Sequence, residues 1–195
     1  MIPILISTRN RHKVAEIEAM LGDSFKVLDL SAVPAMPEVE ETGTTFEGNA
    51  TLKAVAASRL FDGWVLADDS GLEVDALNGE PGVYSARYAG MGATDSENNA
   101  LLLQRLSNTP EQARSARFCC VMVVARAGRK MAAFEGYAPG RILFKPRGDG
   151  GFGYDPLFIP TGYTETFSQL PAATKNRISH RSQALEKLSK WRGFF

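Results

Sequence analysis

The chain opens on a short apolar run, Ile2 to Ile6, broken by the polar stretch Ser7-Thr8-Arg9-Asn10, which is the pattern of a buried strand and its exit. Val14, Ile17 and Leu21 then recur at helical spacing up to Gly22, and Lys26 to Leu30 reads as a second strand, so the chain starts as β-α-β. Residues 31–43 carry Pro34, Pro37 and the acidic run Glu38, Glu40, Glu41, and read as a loop. Thr45 is placed to cap a helix rich in alanine that reaches about Leu60. Trp64 to Ala67 is another short strand, and it runs into Asp68-Asp69-Ser70-Gly71, which puts two acids in a polar turn at its carboxyl end.

Gly79 to Gly92 is punctuated by glycine and proline and reads as a long connection. Thr94-Asp95-Ser96-Glu97 is a capping-box pattern ahead of a helix through Leu106. Ala116 to Arg126 and Lys130 to Tyr137 flank Ala127-Gly128-Arg129 as a long hairpin. After a glycine-rich loop, Arg147 to Pro156, one last helix is expected from about Ile178 to Trp191, with Ala184, Leu185, Leu188 and Trp191 on one face. Crossovers combined with a hairpin point to the α/β class: a long mixed central β-sheet flanked by helices, with ligands collecting at the carboxyl ends of strands.

Composition narrows the picture. With 195 residues, 44% hydrophobic and 23% charged, the chain suits one domain or two lobes sharing a sheet. Its 22 basic and 22 acidic residues cancel, so no bulk field favours nucleic acid or an anionic membrane, and any anion site must be local. Cys119 and Cys120 are neighbours, which argues against a disulfide framework or a zinc cluster and for a reducing compartment. The start lacks a basic n-region and no run reaches 18 apolar residues, so the expectation is a soluble, cytoplasmic protein.

Four segments carry candidate chemistry. Ser7 to Lys13 presents hydroxyls, Asn10 and backbone N–H groups at a helix start, an arrangement that binds phosphate, although a capped helix with a solvated lysine gives the same pattern. Asp68 and Asp69 point in different directions on a strand, so one can hold a divalent ion while the other activates water, and Mg²⁺ suits carboxylate with phosphate oxygens. Glu40 and Glu41 alone read as a solvated charge run. The loop Gly148 to Asp155 combines tight turns with the rings of Phe152 and Tyr154, which suit a nucleobase, and Lys175, His180 and Arg181 form a cation cluster at the expected start of the last helix.

Taken together, Ser7-Thr8-Arg9-Asn10 with Lys13 and Glu16, Glu40-Glu41-Thr42-Gly43-Thr44-Thr45-Phe46, Asn49-Ala50, Lys53-Ala54, Asp68-Asp69-Ser70-Gly71-Leu72, Gly79 with Pro81-Gly82-Val83-Tyr84-Ser85-Ala86-Arg87, Gly150-Gly151-Phe152-Gly153-Tyr154-Asp155-Pro156, and Lys175 with Ser179-His180-Arg181 closely resemble the inosine/xanthosine triphosphate pyrophosphatase family, from about residue 4 to 188. The resemblance implies a single two-lobed domain over residues 1–195, with its active site in the cleft between the lobes, and a homodimer. It also implies Mg²⁺-dependent hydrolysis of noncanonical purine triphosphates (ITP, dITP, XTP) to monophosphate and pyrophosphate, which keeps deaminated purines out of DNA and RNA.

By motif position it assigns Thr8, Arg9, Asn10, Arg11, His12 and Lys13 to the triphosphate, Asp69 to proton acceptance, and Asp69, Asp68 and Glu41 to the metal. Ser70 would touch substrate, and Phe152, Gly153, Tyr154, Asp155, Lys175, His180 and Arg181 would line the nucleotide pocket, with Arg181 donating to the 6-oxygen. Arg9 departs from the family's usual glycine there. Two other classes fit the sequence less well: a non-catalytic nucleotide-binding module, against which Lys13 and the Asp68-Asp69 pair argue, and a flavodoxin-type carrier, whose phosphate loop Arg9, Arg11 and His12 fit poorly.

Overall fold

The computed structural model describes residues 1–22 and 24–194. Ile2–Ile6 (β1) is followed by Arg11–Leu21 (α1), which begins where Asn10 caps it: Asn10 Oδ1 accepts from the backbone N–H groups of His12 at 2.9 Å and Lys13 at 3.2 Å. Phe25–Leu28 (β2) stops short of Leu30 because Asp29 caps a 3-10 turn, Leu30–Ala32. Phe46–Ser58 (α2) starts at Thr45, whose Oγ1 accepts from Gly48 N at 3.0 Å. Its buried face alternates Ala50, Ala54 and Ala57 with the polar Asn49, small side chains that allow a close approach.

Trp64–Val74 (β3) corrects the sequence reading, since the strand does not end at the acids but carries Asp68, Asp69, Ser70 and Gly71 within it. Asp95–Arg105 (α3) has the expected capping box, with Thr94 and Glu97 bonding reciprocally. Ser115–Arg126 (β4) and Arg129–Ile142 (β5) form the expected hairpin, longer in its second strand, around Ala127 and Gly128 at φ 49° and 74°, as a tight two-residue turn requires. Phe158–Pro160 (β6) and Ala172–Ile178 (α4) carry too little periodicity to announce themselves. The expected single last helix is therefore two, because Ser179 is extended at ψ 159° and His180–Ser189 (α5) starts afresh.

The six strands lie in the order β2-β1-β3-β4-β5-β6. β1 pairs in parallel with both β2 and β3, and β6 runs antiparallel to β5, so the sheet is mixed, as its crossovers and hairpin demanded.

The chain forms two compact units. Residues up to Asp69, Cys120–Gly136 and the segment from Arg181 onward make the first; Ser70–Cys119 and Tyr137–His180 make the second, so β3, β4 and β5 each run through both. The first unit's core gathers Ile4, Ile17, Leu66 and Met122 with Leu185 and Leu188 of α5. Trp64 packs edge-on to Trp191 and Phe194, with centroids 5.7 and 5.1 Å away. The second unit's core gathers Leu72, Leu102, Phe118, Tyr154, Phe158 and Phe167. Cys119 and Cys120 are buried thiols with no disulfide. Among the described residues no helix is long and apolar enough to cross a membrane.

Candidate active site

In the first unit, α1, α2, β3 and α5 each bring charge to one place. Lys13 and Glu16, three apart on α1, share a face. Lys13 Nζ lies 3.0 Å from Asp68 Oδ2, Glu16 pairs with the Arg181 guanidinium, and Arg181 Nη2 lies 3.4 Å from the same Asp68 oxygen. Asp69, next on β3, turns to α2 instead: Asn49 Nδ2 donates to its Oδ2 at 3.1 Å, and Lys53 Nζ is 3.8 Å from its Oδ1. Lys53 also donates to Glu41 Oε1 at 2.6 Å, and so joins the loop acid to the strand acid. Strand alternation thus turns the two neighbouring aspartates in different directions, Asp68 toward Lys13 and Arg181 and Asp69 toward Asn49 and Lys53.

The motifs that include Asn49 and Lys53 assign neither residue a role. Their spacing of four on α2 puts both beside Asp69, a link between distant segments that no local pattern announces. Gly43 belongs to the same arrangement: its N–H donates to Asn49 Oδ1 at 2.8 Å, and a Cβ there would lie 2.6 Å from that oxygen.

The charges set different proton affinities. Asp68 is fully buried, which opposes its ionisation, yet Lys13, Arg181 and Lys53 outweigh burial and hold it well below the usual carboxylate range. At Asp69 burial wins, helped by the negative charge of Glu41 and only partly offset by Lys53 and Lys13, so its pKa is raised. Lys53 loses affinity for its proton by burial but regains more from Asp69, Asp68 and Glu41, and stays charged. Lys13, Lys53 and Arg181 oppose Glu16, Glu41, Asp68 and Asp69, three cations against four anions, so the cluster is one positive charge short of balance.

The donor set bears on a metal directly. Among the described residues no group of three or more His, Cys, Asp or Glu side chains is placed to hold an ion. Mg²⁺ does not need one, since it commonly binds through one or two carboxylates plus water and substrate phosphate. Glu41 and Asp69 fit that role, with the Lys53 ammonium already standing as a cation beside both. Asp68 fits less well, because Lys13 and Arg181 crowd one of its oxygens.

Replacing Arg181 with methionine tests the buried network. The guanidinium is 1% exposed, and its loss leaves the buried Asp68 and the half-buried Glu16 with too little positive charge. Breaking such a pair costs about 3–5 kcal/mol. Arg181→Met should lower unfolding free energy in urea by about that much, and a loss under about 1 kcal/mol would mean that the network is solvated.

Around the start of α1, Arg9, Arg11 and His12 are exposed, and Thr8 Oγ1 accepts from Asn10 N at 3.2 Å. The N–H groups of His12 and Lys13, expected to be open to phosphate, are satisfied by Asn10 itself.

The second unit holds the other expected residues. Asp155 Oδ2 accepts from Phe152 N at 3.0 Å and from Lys175 Nζ at 2.6 Å, and that ammonium lies 4.9 Å from the Phe152 ring centroid. Gly151 has φ +73°, and a Cβ there would meet Asp155 Oδ2 at 2.2 Å, so only glycine fits. Tyr154 differs from expectation: its ring is a core side chain and its hydroxyl donates to Ser85 O at 2.8 Å, so it offers no open stacking face. His180 is buried with its ring stacked on Phe118 at 4.9 Å. Lys175 lies on α4, so the expected cation cluster is spread over two helices. Arg181, expected at the 6-oxygen, instead joins Asp68 and Glu16 in the first unit. Ser70 is half-buried on β3.

A carboxylate held ready to take a proton, with lysines beside it on an α/β mixed sheet, fits an enzyme that hydrolyses phosphoanhydrides. The profile of the Ham1 family matches residues 4–191, and the chain belongs to that family, as the motifs suggested. It is similar to the dITP/XTP pyrophosphatase of Halalkalibacterium halodurans, with 47% identity over 96% of this chain and 97% of that one. It is also similar to the dITP/XTP pyrophosphatase of Geobacter sulfurreducens, with 48% identity over 99% of each. Among solved structures, a HAM1 protein from Coxiella burnetii superposes with a TM-score of 0.86 at 39% identity, covering 97% of each chain. The Ham1 protein of Staphylococcus aureus gives 0.85 at 41% identity over 95% of each.

Proposed function

We propose that this protein hydrolyses purine nucleoside triphosphates with oxygen at the 6-position and no 2-amino group, such as dITP and XTP, to the monophosphate and pyrophosphate. The observation that carries this reading is Asp69, buried, raised in pKa and fixed between Asn49 and Lys53; the names of the relatives supply the substrate class. A water oxygen bonds to the α-phosphorus, the P–O bond from that phosphorus to the bridging oxygen breaks, pyrophosphate leaves with the electron pair, and the water's proton passes to Asp69. Lys13 and Lys53 stabilise the charge that develops on the phosphates, and Thr8, Arg9, Arg11 and His12 supply donors around the start of α1. Asn10 contributes its Nδ2, since its Oδ1 caps the helix. Glu41 and Asp69 would hold Mg²⁺, which would supply positive charge against the triphosphate. Asp68 keeps Lys13 and Arg181 in place, and Ser70 touches substrate.

Base reading falls to the loop of the second unit. Lys175 is donor-only and sits over the Phe152 ring, where a 6-oxygen accepts from it while adenine's amine would meet donor with donor. Asp155 holds Lys175 in place, and His180 backs the same wall through Phe118.

Release of pyrophosphate from dITP, XTP, ATP and GTP tests the proposal. The expected result is a kcat/KM for dITP and XTP at least about tenfold above that for ATP and GTP. No turnover of any triphosphate would make the protein a binding module, and equal turnover of all four would remove the base reading. The reading extends to a homodimer, with the connection around Tyr84 and Met91, 55% and 88% exposed, as its surface. Light scattering should then give twice the mass of one chain, and a monomer mass at micromolar concentration would remove the dimer.

A further inference from the structure

Helix α3 spends two side chains on one glycine. Asp95, its first residue, accepts from Gly153 N with Oδ2 at 2.6 Å, and Asn99, one turn later, donates from Nδ2 to Gly153 O at 3.0 Å. Both polar groups of that residue's backbone are thus held by side chains at i and i+4 of a single helix face. The helix start is itself locked, because Thr94 Oγ1 accepts from Glu97 N at 3.2 Å while Glu97 Oε2 accepts from Thr94 N at 2.7 Å. The adjacent Asn98 has separate duties, accepting from Ala89 N at 2.8 Å and donating to Ala86 O at 3.2 Å.

Gly153 follows Phe152 directly, and the turn closes with Asp155 N donating to Phe152 O at 3.2 Å. Fixing the Gly153 backbone therefore fixes the direction of the Phe152 ring and its distance from the Lys175 ammonium. Asn99 is 8% exposed and its Oδ1 is buried with no hydrogen-bond partner, a desolvation cost that an apolar residue on this helix face would avoid. A cost of that kind fits a side chain retained for its bond to Gly153.

We propose that Asp95 and Asn99 are specificity-determining positioning residues. They act through the Gly153 backbone to set the Phe152 ring against Lys175, and so sharpen the choice of base without touching the phosphates. The proposal rests on the base reading given above. Its own signature is a change in discrimination: loss of the clamp loosens the base wall, raises KM for 6-oxo purines and leaves the chemical step alone.

Steady-state kinetics of Asp95→Ala and Asn99→Ala with XTP and ATP test it. The expected result is KM for XTP raised about tenfold, kcat within about twofold, and the ratio of kcat/KM for XTP over ATP reduced by about tenfold. Asp95→Asn keeps an acceptor for the Gly153 N–H and should restore wild-type KM. Equal losses for XTP and ATP, an unchanged KM in both alanine variants, or failure of Asp95→Asn to restore KM would each overturn the clamp. If Asn99→Ala does not fold, the two variants at the exposed Asp95 decide the matter alone. A wild-type enzyme that does not prefer XTP over ATP would fail the base reading first, a result visible before any variant is made.

Discussion

Asp69→Asn should lower kcat for dITP or XTP by roughly 10²–10⁴-fold, because a positioned general base is worth about that much. The amide keeps the shape and its one oxygen can still accept from Asn49, so circular dichroism should stay close to wild type. Before metal binds, burial and Glu41 raise the Asp69 pKa, so proton titration of the metal-free protein should show a group above the aspartate norm of about 3.9 that the variant lacks. Retention of more than about half the turnover at normal stability would put the base elsewhere.

Withdrawal of divalent metal should abolish turnover and leave the fold standing. Lys13, Lys53 and Arg181 already face the carboxylates of the cluster, so the fold does not wait on a bound ion to offset them. Substrate changes this balance, because a triphosphate adds several negative charges beside Glu41 and Asp69 that Lys13 and Lys53 alone do not offset. EDTA should stop pyrophosphate release while the melting temperature stays unchanged, and added Mg²⁺ should restore the rate. Persistent hydrolysis in excess chelator would remove the metal from the mechanism.

The parts of this architecture legible in the sequence are those written locally. Asn10 before α1, Thr45 before α2 and the Thr94–Glu97 box announce helix starts because a cap and its targets lie within a few residues. β3 was cut short for the opposite reason. Polar residues end a strand in any hydropathy pattern, whereas Asp68 and Asp69 stay inside one because cations from α1, α2 and α5 neutralise them. The same distance hid Asn49 and Lys53, whose relevance appears only once α2 lies against β3.

Tyr154 and Arg181 show a related limit. A glycine-rich loop declares that its backbone is special but not which of its rings turns inward, and only the core around Tyr154 decides that. Arg181 sits beside His180 in the chain, yet the helix start at His180 sends the histidine to Phe118 and the arginine to Asp68. The resemblance located both residues among the functional motifs, and the packing then separated their tasks.

The first unit is assembled from three stretches of chain, and the last of them begins at Arg181. On a ribosome that stretch emerges after the other two, so the first unit cannot close while only its earlier stretches have been made. Until Arg181 arrives, Asp68 has lost a cation partner, Glu16 has lost its guanidinium, and the apolar residues of β1 and β3 lack Leu185 and Leu188 to cover them. A nascent chain halted before that point displays unpaired charge and bare core together, which marks it for chaperones and proteases. The charge network around Asp68 is therefore completed only when the third stretch packs against the first two.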